Sequence, residues 1–299
     1  MEDNSKTLDT RTTPPAIGFW RGWSIAVGCA IGSGIFMMPT LLAPYGLLGM
    51  AGWLTAGAGT LLVALSLSRL ARRIPKIGGP YAYVHAGLGD FAGFLIAWTY
   101  WISCVAAVAG IAVAFVGYLG VFIPALGDSN AMALVFSLGL IWMIFALNIR
   151  SLESSSQFQL ISTILKILPL LLMIAMGAIY MEPANVPEYY PTDVHPAAIL
   201  ATVTTLVMWS FTGIETASVP ADNMVDPEKT IPRVLVAAVL TIMMLYFLVS
   251  IAIALIVPAA ELSNSTAPFA LAATKVMGPV GGAIITAGAL ISTLGSLNA

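Results

Sequence analysis

The sequence predicts an all-α protein that crosses a membrane several times. Three observations carry that prediction. First, AVILMFWYC residues make up 59% of the 299 positions and charged residues only 9%, where soluble domains carry about 25% charge. Second, no Asp, Glu, Lys or Arg occurs in 22–68, 91–127, 129–149, 167–181, 194–214, 234–260 or 276–299, and about 20 mostly apolar residues suffice for a spanning helix. Third, these runs are continuously apolar, which argues against the alternating segments of about 10 residues that build a membrane barrel.

The same arithmetic excludes several classes. Twelve Lys and Arg against 14 Asp and Glu give a net charge of −2, without the basic face that nucleic-acid binding needs. Hydrophobicity is too high for a disordered chain. The two cysteines, Cys29 and Cys104, both lie in apolar stretches, so neither a disulfide framework nor a zinc-ligand spacing is present. No His lies within a predicted span, and neither HExxH nor GxSxG occurs; the residues therefore do not suggest an enzyme.

Residues 1–16 are polar, end near Pro14-Pro15, and read as a disordered tail. Residues 17–299 read as one membrane domain. Predicted helices lie at about 20–43, 47–70, 89–120, 131–149, 157–180, 198–222, 233–257 and 280–299. Pro44-Tyr45-Gly46 separates the first two, since proline and glycine disfavour a continuing helix. Lys6, Arg11, Arg21, Arg69, Arg72, Arg73, Lys76, Arg150, Lys229 and Arg233 fall on one side, and Lys275 alone on the other. The positive-inside rule then puts the N-terminus in the cytoplasm of a multi-pass cell-membrane protein. The remaining cation, Lys166, falls inside the fifth span, where an ionisable residue suggests a function.

Two spans are interrupted. The first carries Gly32-Ser33-Gly34 followed by Pro39, and the sixth carries Trp209-Ser210-Phe211-Thr212-Gly213-Ile214-Glu215. Glycine weakens a helix by about 1 kcal/mol relative to alanine. A backbone amide freed in lipid must find a partner or line a cavity. Glycine-interrupted helices in corresponding positions of two halves point to a transporter site. Five spans precede the second interruption, and five is odd, so the second set is inverted relative to the first. The alternative is that these glycines only let helices pack closely.

These residues, with Gly78-Gly79-Pro80-Tyr81-Ala82-Tyr83, Asn264-Ser265-Thr266-Ala267-Pro268-Phe269 and Leu294-Gly295-Ser296-Leu297, resemble the amino acid–polyamine–organocation superfamily. Within it they resemble the basic amino acid/polyamine antiporter branch. The resemblance runs from about residue 17 to the end. It implies a leucine-transporter-like inverted repeat with broken helices 1 and 6, the fold that serves as the standard example of such repeats. It also implies a chain cut short in or after helix 8, because that fold needs ten core helices.

On this resemblance the substrate is a small amino acid or amine, with no cofactor and no metal. Partners are the lipid bilayer and, in proton-coupled relatives, protons; a homodimer stays open. The amides of Gly32, Ser33 and Gly34 take a carboxylate, as helix N-termini do. Carbonyls of Ala30 and Ile31, and those near Trp209, Thr212 and Gly213, take an ammonium. Tyr100, Trp209 and Glu215 match gate positions, and Glu215 has capping a helix end as its alternative. Ser103, Cys104, Ala107 and Val108 make a small, mostly apolar side-chain pocket, although Cys104 by itself reads as a packing residue. Val108 stands where the arginine exchanger has asparagine, which favours a secondary active transporter of a neutral or hydrophobic amino acid; the alternatives are an antiporter exchanging a cationic amino acid for its amine, or a non-transporting amino-acid sensor on the same fold. Lys166 stands where sodium-coupled relatives hold a sodium ion, which favours proton coupling. Its alternative is a structural ammonium.

Overall fold

A computed structural model describes residues 17–298 apart from positions 75, 121, 124, 151, 190–192 and 266, and without the side chains of 33, 127, 128, 150 and 152–156. The expected tail at 1–16 lies outside the described residues. Among the described residues the α-helices are, in order, α1 (Phe19–Ala30), α2 (Ser33–Leu42), α3 (Gly46–Arg73), α4 (Pro80–Leu88), α5 (Asp90–Leu119), α6 (Ala125–Asp128), α7 (Asn130–Arg150), α8 (Leu152–Ile179), α9 (Pro196–Met208), α10 (Pro227–Ile256), α11 (Ala259–Leu262) and α12 (Pro268–Asn298). No strand forms among the described residues; one isolated bridge joins Ile17 to Met224. Among the described residues, seven helical segments are long and apolar enough to span a bilayer, the first running through α2 and α3.

The first predicted span is two helices, α1 and α2, and the fifth closes with α8. The sixth begins as α9 but does not resume as an α-helix after its interruption. It continues as 3₁₀ turns at Trp209–Phe211, Ile214–Ser218 and Ala221–Asn223. Gly213 sits in the left-handed region and Pro220 offers no N–H, so a regular 13-atom ladder cannot re-form there. The eighth span starts earlier than its charge pattern suggests. α12 opens at Pro268 and kinks at Gly278 (φ 69°, ψ −169°), just before Pro279. The piece before the kink is held by Phe269, whose ring lies 4.7 Å from that of Phe36 on α2.

α10 is the central helix and packs on α3, α1 and α8. Lipid is as apolar as a leucine side chain, so close packing between helices substitutes for hydrophobic burial. Small residues provide it: a Cβ on Gly177 would stand 2.4 Å from Ala252, and one on Gly288 would stand 2.4 Å from Pro169. Trp53 of α3, Tyr246 of α10 and Phe211 stack edge to face, with ring centroids 5.1–6.3 Å apart. That trio holds the interrupted part of the sixth span against the bundle. α5 and α7 present long apolar faces outward, including Phe91, Trp98, Trp101 and Trp142.

Candidate functional site

The first interruption is two residues long. Ile31 (φ −75°, ψ 85°) and Gly32 (φ −120°, ψ −153°) are extended between α1 and α2. Gly32 N–H turns back to the Ala30 carbonyl at 2.9 Å, so the Gly28 carbonyl loses its helical donor. In lipid those carbonyls need replacements, and other helices supply them. Lys166 Nζ of α8 donates to Gly28 O at 2.5 Å and to Ile31 O at 2.9 Å, and lies 3.1 Å from Ser296 Oγ. Ser292 and Ser296 of α12 donate to Ile31 O at 3.1 and 2.8 Å. Tyr246 Oη donates to Ala30 O at 2.8 Å. Lys166 is 0% exposed.

The second interruption is satisfied locally. Thr212 leaves the helical region (φ −65°, ψ 144°) and Gly213 adopts φ 103°. Only glycine takes that φ without strain, and a Cβ there would stand 2.7 Å from Cys29 Sγ. Gly213 N–H donates to Glu215 Oε2 at 3.0 Å. Thr216 Oγ1 donates to Gly213 O at 2.5 Å, Ser218 Oγ donates to Glu215 O at 2.6 Å, and Thr212 Oγ1 donates to Trp209 O. Glu215 therefore caps the interruption.

The two interruptions face each other. A Cβ on Gly34 would lie 2.6 Å from Trp209 Nε1 and 3.5 Å from Ser210 Oγ, so the indole lies directly over the first turn of α2. That turn has no intrahelical acceptors for its amides and carries the positive end of the helix dipole. Of the residues expected from sequence, Ala30, Ile31, Gly32, Gly34, Trp209, Thr212 and Gly213 come together here. Ser33 opens α2, but its hydroxyl lies outside the described residues. The Ala30 and Ile31 carbonyls, expected to receive an ammonium, already accept protein donors.

The expected side-chain pocket is less closely assembled. Ser103, Cys104 and Ala107 lie on an exposed face of α5. Val108 packs against a buried cluster of Ala112, Leu140, Ile144 and Leu297, so its apolar character has a packing cause. Tyr100 and Cys104 nevertheless lie close enough to Glu215 to feel its charge, as does Cys29. The sequence reading missed Cys29, Ser210, Tyr246, Ser292 and Ser296. Ser292 and Ser296 stand four apart on one helix face, a spacing legible in the sequence. Two cavities, of about 380 and 280 Å³, lie elsewhere: between α5, α6 and α7, and beside Lys76, Tyr81 and Asp222.

Among the described residues, seven apolar spans and two facing interruptions make a multi-pass membrane protein with a leucine-transporter-like helical fold. Over residues 17–299 the chain matches the amino acid permease family and belongs to it. It is 30% identical over 284 residues to an arginine/ornithine antiporter of Pseudomonas aeruginosa, covering 92% of this chain and 59% of that protein. It is 28% identical over 268 residues to the putrescine transporter PotE of Escherichia coli K12, covering 89% of this chain and 61% of that one. It is 29% identical over 283 residues to an L-lysine transport protein of Corynebacterium glutamicum, covering 91% of this chain and 56% of that protein. The chain thus spans about three fifths of the length of these relatives. Its fold is similar to that of a substrate-bound, outward-open Na⁺-coupled sialic acid symporter, with a TM-score of 0.63 at 14% identity, covering 95% of this chain and 63% of that one.

Proposed function

We propose that this protein carries amino acids across a cell membrane by alternating access and works as an exchanger of cationic amino acids or their amines. The observation that carries this reading is the pairing of a free helix N-terminus with a second interrupted helix at the same place. A carboxylate suits the first. The names of the relatives, an arginine/ornithine antiporter, a putrescine transporter and a lysine transport protein, support a cationic substrate and exchange. Those names favour a cationic substrate over the neutral one expected from Val108. The test is counterflow with the natural protein in liposomes. Labelled L-arginine should enter vesicles loaded with L-ornithine far faster than empty ones. Equal entry into both would contradict exchange.

Lys166 supports a second element of this reading, proton coupling. Its three polar neighbours, Gly28 O, Ile31 O and Ser296 Oγ, match the three N–H donors of an ammonium. Loss of one proton removes a donor from the clamp on the interrupted helix, which links protonation to its position. Uptake by the unmutated protein should rise as external pH falls and should not need sodium. A flat pH profile, or strict sodium dependence, would assign Lys166 to structure alone. The positive charges beside α1, at the end of α3 and at the start of α10 support a cytoplasmic N-terminus.

A further inference from the structure

Among the described residues, the buried side-chain polar atoms without a hydrogen-bond partner are Tyr83 Oη and Ser210 Oγ. Tyr83 Oη lies near Ser218, outside hydrogen-bond geometry. Ser210 is different. It is 3% exposed, it lies in the 3₁₀ turn that opens the sixth-span interruption, and its hydroxyl is directed at the first turn of α2, 3.5 Å from where a Cβ on Gly34 would be. A buried hydroxyl left unpaired costs about 1–3 kcal/mol, so a hydroxyl kept there without a protein partner calls for another one. Beside it, Trp209 Nε1 is the nearest atom to the Gly34 Cβ position. The indole N–H has no acceptor character, and the α2 amides are donors too. Donors and the positive end of a helix dipole converge on one spot, the environment of an anion.

We propose that Ser210 is a specificity-determining residue that donates its hydroxyl proton to the carboxylate of a bound amino acid, beside the amides of α2. This rests on the amino acid transport reading above and adds a residue to its site. The hydroxyl lies at the donor-rich end of the site, which favours a carboxylate over an ammonium as its partner. Because no protein group depends on it, the bond exists only when substrate is present.

The test uses the natural full-length protein, Ser210→Ala, and two probes that differ by the carboxyl group: L-ornithine and putrescine. Binding is read by titration, and stability by thermal unfolding with and without ligand. The expected result is roughly a tenfold or greater loss of L-ornithine affinity, the size of a hydrogen bond to a charged group. Putrescine affinity should not change. The ligand-free unfolding temperature should stay level or rise, since an unpaired buried polar group has been removed, while the L-ornithine-induced rise shrinks. Should putrescine not bind, L-ornithine affinity and ligand-free stability decide by themselves. Unchanged L-ornithine affinity, equal losses for both probes, or a lower ligand-free unfolding temperature would overturn the proposal and leave the transport reading standing. No saturable binding of L-ornithine to the unmutated protein would overturn both.

Discussion

The two interruptions solve one problem by opposite means. At the first, carbonyls freed between Gly28 and Ile31 are bonded by side chains far away in sequence: Lys166 on α8, Tyr246 on α10, Ser292 and Ser296 on α12. At the second, Glu215, Thr216 and Ser218 bond groups within a few residues of themselves. The first is therefore clamped to three scaffold helices, and moving it requires breaking bonds to all of them. The second bonds its own groups, yet it stays packed on α1, α3 and α10 through Cys29, Trp53 and Tyr246. An interrupted helix in lipid needs its backbone satisfied in either case, but only the distant solution does so with hydrogen bonds from other helices. At the first interruption the ties to the bundle are hydrogen bonds to other helices; at the second they are ring and van der Waals contacts.

The largest expected effect tests the clamp. Lys166→Met removes three hydrogen bonds from a charged nitrogen, to Gly28 O, Ile31 O and Ser296 Oγ, each contributing roughly 1.5–3 kcal/mol, offset in part by relief of the buried ammonium's desolvation. A net loss of about 3 kcal/mol should appear in thermal or denaturant unfolding in detergent. A loss below about 1 kcal/mol would mean the two serines hold Ile31 O unaided, and the contrast between the interruptions would fade. Next in size is Gly213→Ala. The left-handed backbone costs a non-glycine residue about 1–2 kcal/mol, and the new methyl would also meet Cys29 Sγ. Cys29→Ala in the same chain should recover the steric part and leave the backbone part. Full recovery would show that φ 103° is not needed. The smallest effect belongs to Thr216→Val, where Gly213 O keeps the Thr216 amide at 3.2 Å and the loss should be about 0.5–1 kcal/mol. A larger loss would show that the second interruption is not self-contained.

The spans and both interruptions were legible because their signals are local: charge-free runs, Gly32-Ser33-Gly34 and the glycine at 213. The family was legible for the same reason, in short motifs. The partners of the first interruption were not. Nothing in the spacing of Tyr246 or Ser292 says which carbonyl each will meet, because that depends on how α10 and α12 pack on α1. Lys166 stood out as a lone cation in an apolar run, whereas its acceptors are backbone atoms that any residue would present. The packing of Val108 was not legible for a related reason. An apolar residue at a site position and an apolar residue in a helix interface look identical in sequence; that Val108 packs against the cluster of Leu140, Ile144 and Leu297 comes from the structure alone. The 3₁₀ course after Gly213 was hidden too, because hydropathy is the same for either helix type.

The most direct measurement is competition against labelled L-arginine in the counterflow assay by L-ornithine and by its methyl ester. If the α2 amides receive a carboxylate, esterification removes the charge they bind, and the ester should compete at least tenfold more weakly, about the worth of a hydrogen bond to a charged group. Equal competition by acid and ester would contradict the site and, with it, the account of why the two interruptions face each other.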